Sequence, residues 1–322
     1  MIHSLNNQRH HGQPGKSDLP ARITKSGSKQ TYYTFRLLID RDRVQDAYRS
    51  YAYFRWLDDL LDCGSGTQQG KIELLKRQQT ILEVCYQGNS PGEVSPEEQM
   101  LVDLIHNDGE KNSGLQIYLR NMMAVMSFDV ERCGRLISHA ELTEYTHLLS
   151  TAVTELLFYF IGREASPACH ENRYQAVNGA HIVHMLRDMV EDISAGYFNV
   201  PGKYITENHI SLEDFHSLPF RKWVYERVKL ARQYFKVGRK YITNVKSSRC
   251  RLAGFAYIAR FEWMMRTIEK DGYCLRPEYP ERKSLKAGLW MFWRVLLSVV
   301  NIPWMSLEPG QQMALVDQSE ER

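Results

Sequence analysis

The sequence predicts an all-α protein folded as a single helical domain. Three observations carry that expectation: helix-start signals recur, apolar residues between them return at steps of three and four, and alternating strand-like runs with hairpin dipeptides are scarce. With 322 residues, 43% of them hydrophobic and 11% aromatic, the chain can bury one large core. A formal charge of +3 and the lack of a nucleic-acid-binding motif predict no nucleic-acid partner.

Taken in order, residues 1–27 are polar with no apolar leader core, and read as a flexible arm rather than a signal peptide or membrane anchor. "YFRWLDDLLDCG" (53–64) is an apolar helix carrying three aspartates. "CGSGTQQG", "YQGNSPGEV" and "HNDGEKNSG" read as interhelical loops. "SPEE" at Ser95 offers an N-cap with Pro at N1 and Glu at N3, and "SHAE" at Ser138 is a capping box that opens the periodic run 141–162. "HMLRDMVEDISAGYFNVP" (184–201) is a second acidic helix. "AGLWMFWRVLLSVVNIPWM" (287–305) is interrupted by Arg294 and broken by Pro303, short of the roughly 20 clean residues a membrane span requires. It fits either a core helix or a segment lying on a bilayer, with its Trp residues and Arg282, Lys283 and Lys286 at the interface. The domain is expected over 28–306, followed by a polar tail over 307–322. Cys63, Cys85, Cys133, Cys169, Cys250 and Cys274 form no CxxC pair, which predicts reduced thiols and a cytoplasmic protein, peripheral to membrane at most.

The chemistry concentrates in the two acidic helices. Positions i and i+4 share a helix face, so Asp58 and Asp62 point one way while Asp59 turns away by about 100°. The same spacing returns at Asp188 and Asp192, and an arginine stands shortly ahead of each pair, Arg55 and Arg187. One such pair is ordinarily a solvated face; two, each in an apolar helix, are not. Gly64 and Gly196 follow closely, which places both pairs near helix C-termini. There the macrodipole disfavours a carboxylate by about 0.3–1 kcal/mol, so a site that gathers four of them needs cations. Hard oxygen donors on facing helices suit Mg²⁺, which keeps waters and is shared with a substrate's phosphates. Arg55 and Arg187 would donate to phosphate oxygens.

At these residues the sequence resembles a known family. "YAYFRWLDDLLD" and "LRDMVEDISAGYFNVP" are similar to the two aspartate-rich motifs of the squalene/phytoene synthases, the head-to-head branch of the trans-isoprenyl diphosphate synthases. Order and spacing are kept, and the resemblance runs from about Ser28 to about Pro280. It implies a helical bundle of the isoprenoid synthase type around a central apolar cavity, with the acidic motifs on opposite walls near its mouth. It implies Asp58, Asp62, Asp188 and Asp192 as Mg²⁺ ligands and, with Arg55, as the catalytic group. Tyr51, Arg55 and Arg187 match substrate-diphosphate positions, and Ser28 and Lys29 fall where the family has early hydroxyl and basic contacts.

The chain also departs from the family pattern. His184 stands where an Asn helps hold metal or diphosphate; imidazole suits Mg²⁺ poorly but can donate to a diphosphate oxygen, and a plain hydrogen-bonded helix histidine is the alternative. His181 replaces a substrate-binding Gln, Phe261 a Tyr, and Gly27 an early His. "STAVT" (150–154) puts branched Thr151 and Thr154 where glycines leave substrate room.

The implied reaction is loss of diphosphate from an allylic carbon, then attack by a second prenyl chain, joining two C15 or C20 prenyl diphosphates. A carbocation needs aromatic walls; the candidates are Tyr51, Tyr53, Phe158, Tyr159, Phe160 and Phe261. NADPH would be required only for a squalene-type product. Two other functions stay open: an enzyme that ionises one prenyl diphosphate and quenches or cyclises it, and a non-catalytic assembly protein on the same fold.

Overall fold

The computed structural model describes residues 19–63, 67–162 and 171–299. Twelve α-helices and a single isolated parallel bridge, Leu136 to Phe198, are found among them. The expected arm before Leu19, Gly64, Cys169, Pro303 and the tail over 307–322 lie outside the described residues.

The chain is helical earlier than expected. α1 (Leu19–Gly27) lies inside the segment read as a flexible arm and packs on α3 (Val44–Cys63), burying Pro20 and Thr24. The Thr24 hydroxyl donates to the Tyr48 carbonyl at 3.2 Å, tying the two helices together. Only one turn of apolar spacing marks α1, and its polar flanks mask it.

Ser28 caps α2 (Lys29–Leu38), accepting from the Thr31 N–H. α4 (Gln68–Tyr86) and α5 (Glu98–His106) follow. The Glu98 N–H donates to Ser95 Oγ at 3.1 Å and the Ser95 N–H to Glu98 Oε2 at 2.9 Å, so the N-cap read at Ser95 closes as a reciprocal capping box just ahead of the regular helix. α6 (Gly114–Arg132) leads to α7 (His139–Leu157), which opens on the Ser138–Glu141 box. Instead of running on to residue 162, α7 widens into a π-helical turn at Phe158–Gly162.

Two large apolar clusters form, with a small third one of Ile137, Leu142 and Met185. One is gathered chiefly by α3, α4, α5 and α6; the other by α8 (Gln175–Ser194), α10 (Leu218–Thr243) and α11 (Ser248–Lys270). α8 and α10 approach closely because Gly238 lacks a side chain; a Cβ there would fall 2.7 Å from the Ala176 nitrogen. α9 (Gly202–Glu207) is a short connector. Members of both clusters, Met126 of the first and Phe261 of the second, line the cavity described below.

α12 (Leu285–Val299) covers part of the segment read as core or bilayer surface, and it has both characters. One face packs on α11: Trp290 stands 5.6 Å from Trp263, and Arg294 pairs with Glu262 at 2.8 Å. The other face leaves Phe292 and Trp293 62% and 57% exposed. No helix among the described residues is long and apolar enough to cross a membrane. Cys85, Cys133, Cys250 and Cys274 are free thiols.

Candidate active site

Both aspartate pairs sit at helix C-termini, as the nearby glycines predicted for α8. Its end closes in a Schellman turn: Gly196 takes φ +86°, the Tyr197 N–H donates to the Asp192 carbonyl at 2.8 Å and the Gly196 N–H to Ile193 at 3.1 Å. The turn then runs beside the loop after α6, with the Gly134 N–H donating to the Gly196 carbonyl at 2.9 Å. That pairing fixes Asn199 beside the last carboxylate of α8.

Asp58, Asp62, Asp188 and Asp192 line one cavity of about 490 Å³, and α6 adds a fifth carboxylate, Asp129. Asp59 is turned out to solvent as expected and pairs with Arg55 at 2.5 Å. Burial, then the neighbouring Asp62, pushes Asp58 up to about 6; burial, then Asp188, pushes Asp192 up to about 7. Burial also raises Asp129, although Arg132 and the Tyr145 hydroxyl both bond to it, at 2.7 and 3.0 Å. Burial and the crowding of like charges therefore disfavour the ionised forms of these three carboxylates. Among the described residues no three His, Cys, Asp or Glu side chains close into a metal cage. The donors fit a hard cation that keeps waters and completes its shell from a substrate's oxygens.

The arginines read from the sequence are near the aspartates but engaged. Arg187 binds its neighbour Asp188 through both Nε and a terminal nitrogen, at 2.6 and 2.5 Å. Arg55 lies 3.6 Å from Asp58 while bonded to Asp59. His184 presents half its side chain to the cavity's own space, but protein walls it in; burial, then Arg187, pulls its pKa down to about 4. The neutral ring lies with Nε2 3.2 Å from Asp188 Oδ2, where its N–H can donate. His181 is 6% exposed, lines the cavity, and neither ring nitrogen has a hydrogen-bond partner.

Other expected residues stand elsewhere. The Ser28 hydroxyl is engaged in capping α2, and neither it nor exposed Lys29 lines the cavity. Tyr51 stands outside it, with its hydroxyl close under Gly27. Tyr53 is fully buried and donates to Gln78 at 3.0 Å, Phe160 packs in the first core cluster, and the Tyr159 hydroxyl donates to Asp108 at 3.3 Å. These three therefore face neighbouring helices rather than a reaction space. Phe261 does line the cavity. Phe158 and Thr154 line a smaller apolar space of about 50 Å³ that shares Val177 and Tyr257 with the larger one. Thr151 lines neither; in its stretch it is Val153 that reaches the main cavity.

Sequence reasoning missed Asp129, Arg132, Tyr145, Tyr197, Asn199, Tyr257 and Arg260. Asp129 and Arg132, three apart, look like an ordinary surface pair in sequence. Tyr145, Leu149 and Val153 recur at four-residue steps and all line the cavity, so that face was legible.

The squalene/phytoene synthase family model matches residues 24–287. The squalene synthase HpnC from Alicyclobacillus acidocaldarius superposes with a TM-score of 0.66 at 18% identity, over 81% of this chain and 95% of its own. A dehydrosqualene synthase in complex with ligand gives 0.66 at 17% identity, over 89% and 96%. At these identities the likeness is one of fold. No curated protein sequence matches the chain.

Proposed function

This chain belongs to the squalene/phytoene synthase family and is a prenyltransferase, and from that premise we propose that it joins two C15 or C20 prenyl diphosphates head to head, releasing diphosphate in a Mg²⁺-dependent reaction. The observation that carries the reading is the convergence of two DxxxD pairs, from the ends of α3 and α8, on one cavity that is also lined by apolar side chains such as Met122, Met126, Leu149 and Val153. Its volume falls within the roughly 300–1,000 Å³ usual for ligand sites.

Asp58, Asp62, Asp188 and Asp192 would hold the metal. When bound, Mg²⁺ neutralises charge on the departing diphosphate. The protein supplies the rest. Arg55 and Arg187, which pair with aspartates beside the cavity, would donate to phosphate oxygens. Neutral His184 orients Asp188. Tyr145, Tyr257 and Phe261 wall the allylic centre, excluding water and attracting positive charge by about 0.5–2 kcal/mol per ring. A reductant such as NADPH enters only for a squalene-type product.

The narrow inner space beside Thr154 favours a second reading, in which one prenyl diphosphate is ionised and then quenched or cyclised. Incubation with farnesyl or geranylgeranyl diphosphate and Mg²⁺, followed by mass spectrometry, separates the two. A C30 or C40 product supports condensation; an alcohol or cyclic terpene of one chain refutes it. We further propose that the exposed apolar face of α12, with Phe292 and Trp293, touches lipid.

A further inference from the structure

The main cavity shares Val177 and Tyr257 with the inner space of about 50 Å³. The walls of that space are mostly apolar, yet three elements each bring it a buried polar atom with no hydrogen-bond partner among the described residues: Thr154 Oγ1 from α7, Arg173 Nε from the turn Glu171–Arg173, and the Tyr241 hydroxyl from α10. Thr154 is 3% exposed and Arg173 8%. The three gather around one ring. Thr154 and Phe158 stand one helical turn apart, the Arg173 guanidinium lies 4.9 Å from the centre of the Phe158 ring, and the Tyr241 ring meets that ring edge to face at 6.4 Å. Arg173 is held by Glu155: its terminal nitrogen donates to Glu155 Oε2 at 2.9 Å, and the Tyr174 hydroxyl donates to Glu155 Oε1 at 2.9 Å. That pairing balances the buried charge and leaves the Nε–H spare.

Each of the three spare groups can donate a hydrogen bond. Leaving a buried donor without an acceptor disfavours the fold, so a space shaped for hydrocarbon alone is better lined by Val, Met and Phe at these positions. Glu155 already matches the charge of Arg173, so the missing partner is an uncharged acceptor rather than an anion. α8 sets the depth: Val177 lies 11 residues before Asp188 (188 minus 177), roughly 16 Å along the helix axis. A ligand whose diphosphate lies at the aspartates therefore brings its far end here. We propose that the inner space binds an uncharged oxygen, as hydroxyl or carbonyl, at the far end of the prenyl chain, which makes the substrate an oxygenated prenyl diphosphate. This rests on the reading that a prenyl diphosphate occupies the cavity, and it holds whether one chain or two react.

The test is calorimetric binding, with Mg²⁺, of the thiolodiphosphates of farnesol and ω-hydroxyfarnesol, whose C–S bond resists ionisation, to wild type, Thr154→Val, Tyr241→Phe and the double variant. Wild type should bind the hydroxylated chain at least as tightly as the plain one. Each single variant should weaken the hydroxylated chain relative to the plain one by about threefold to tenfold, and the double variant by more than about tenfold, the scale of uncharged hydrogen bonds. Thermal unfolding of the free variants should be no earlier than that of wild type, because the hydroxyls removed have no partner in the free protein. Weaker binding of the hydroxylated chain by wild type, or a ratio unchanged in the double variant, overturns the subsite and leaves the donors to buried water. Earlier unfolding of Tyr241→Phe also overturns it, since its hydroxyl would then be engaged within the protein. If neither analogue binds wild type, the prenyl diphosphate reading falls and this ligand with it. The expected ratios in a protein that makes no head-to-head product refute condensation and leave the subsite standing.

Discussion

Arg132 reaches Asp192 through a single amide: Asn199 Oδ1 accepts from the arginine at 2.7 Å, while Asn199 Nδ2 donates to Asp192 Oδ2 at 2.8 Å. The same arginine holds Asp129 on its own helix, and the rings of Tyr145 and Tyr197 stand 4.9 and 5.2 Å from its guanidinium. The end of α8 is therefore locked to α6 by a buried cation enclosed in aromatic rings. A metal-binding carboxylate aimed in this way needs little rearrangement to act.

Arg132→Ala should be the most damaging change near the site. It strands the buried Asp129 carboxylate and releases Asn199, and loss of one partner from a buried pair costs about 3–5 kcal/mol. Denaturant unfolding checks this. Asn199→Ala should cost less in stability, about 1–2 kcal/mol, but still slow diphosphate release by loosening Asp192.

Asp192→Asn should stabilise the metal-free protein in mildly alkaline buffer. The folded pKa of Asp192 is raised from 3.8 to about 7, so folding disfavours its ionised form. The penalty is fully present above the folded pKa and disappears as pH falls below the unfolded one. Asparagine removes it, for a gain of about 1–2 kcal/mol after allowing for solvent screening. Denaturation of the EDTA-treated variant should show a larger gain near pH 8 than near pH 5; Mg²⁺ should stabilise wild type and not the variant.

Much of this was legible because helix periodicity and caps are local. Asp58 with Asp62 and Asp188 with Asp192 declare a shared face by spacing alone, and Ser138 with Glu141 declares a helix start. What sequence could not show was which partner each face meets. Asp129 looks like a surface acid until Arg132 and Asn199 tie α6 to the segment after α8, and Arg260 looks like any arginine on a mixed helix until it proves to line the cavity. Tyr53 and Phe160 fail as cavity residues for the same reason: they are aromatic in the expected helices, but turned toward other helices.

Thr154→Ala should raise the use of geranylgeranyl relative to farnesyl diphosphate. Thr154 lines the small inner space, its hydroxyl has no hydrogen-bond partner, and removing two heavy atoms there lengthens the room open to a prenyl tail. The ratio of kcat/KM for the two substrates measures it; an effect of about 1–3 kcal/mol is usual for a change of one methylene in an apolar pocket. An unchanged ratio would place the chain ends elsewhere.

Phe292→Ser with Trp293→Ser should reduce co-sedimentation with anionic lipid vesicles without lowering activity on detergent-dispersed substrate. Both side chains project from the exposed face of α12, away from Trp290 and Arg294, which hold the helix to α11. Unaltered sedimentation would remove the lipid contact from α12.

The two aspartate pairs stand or fall as one catalytic centre, and the most direct measurement is pyrophosphate release from farnesyl diphosphate with saturating Mg²⁺. Asp58→Asn and Asp188→Asn, taken from opposite walls of the cavity, should each lower the rate by at least about a hundredfold, with thermal unfolding no earlier than that of wild type. Release at the wild-type rate from either folded variant would contradict the site.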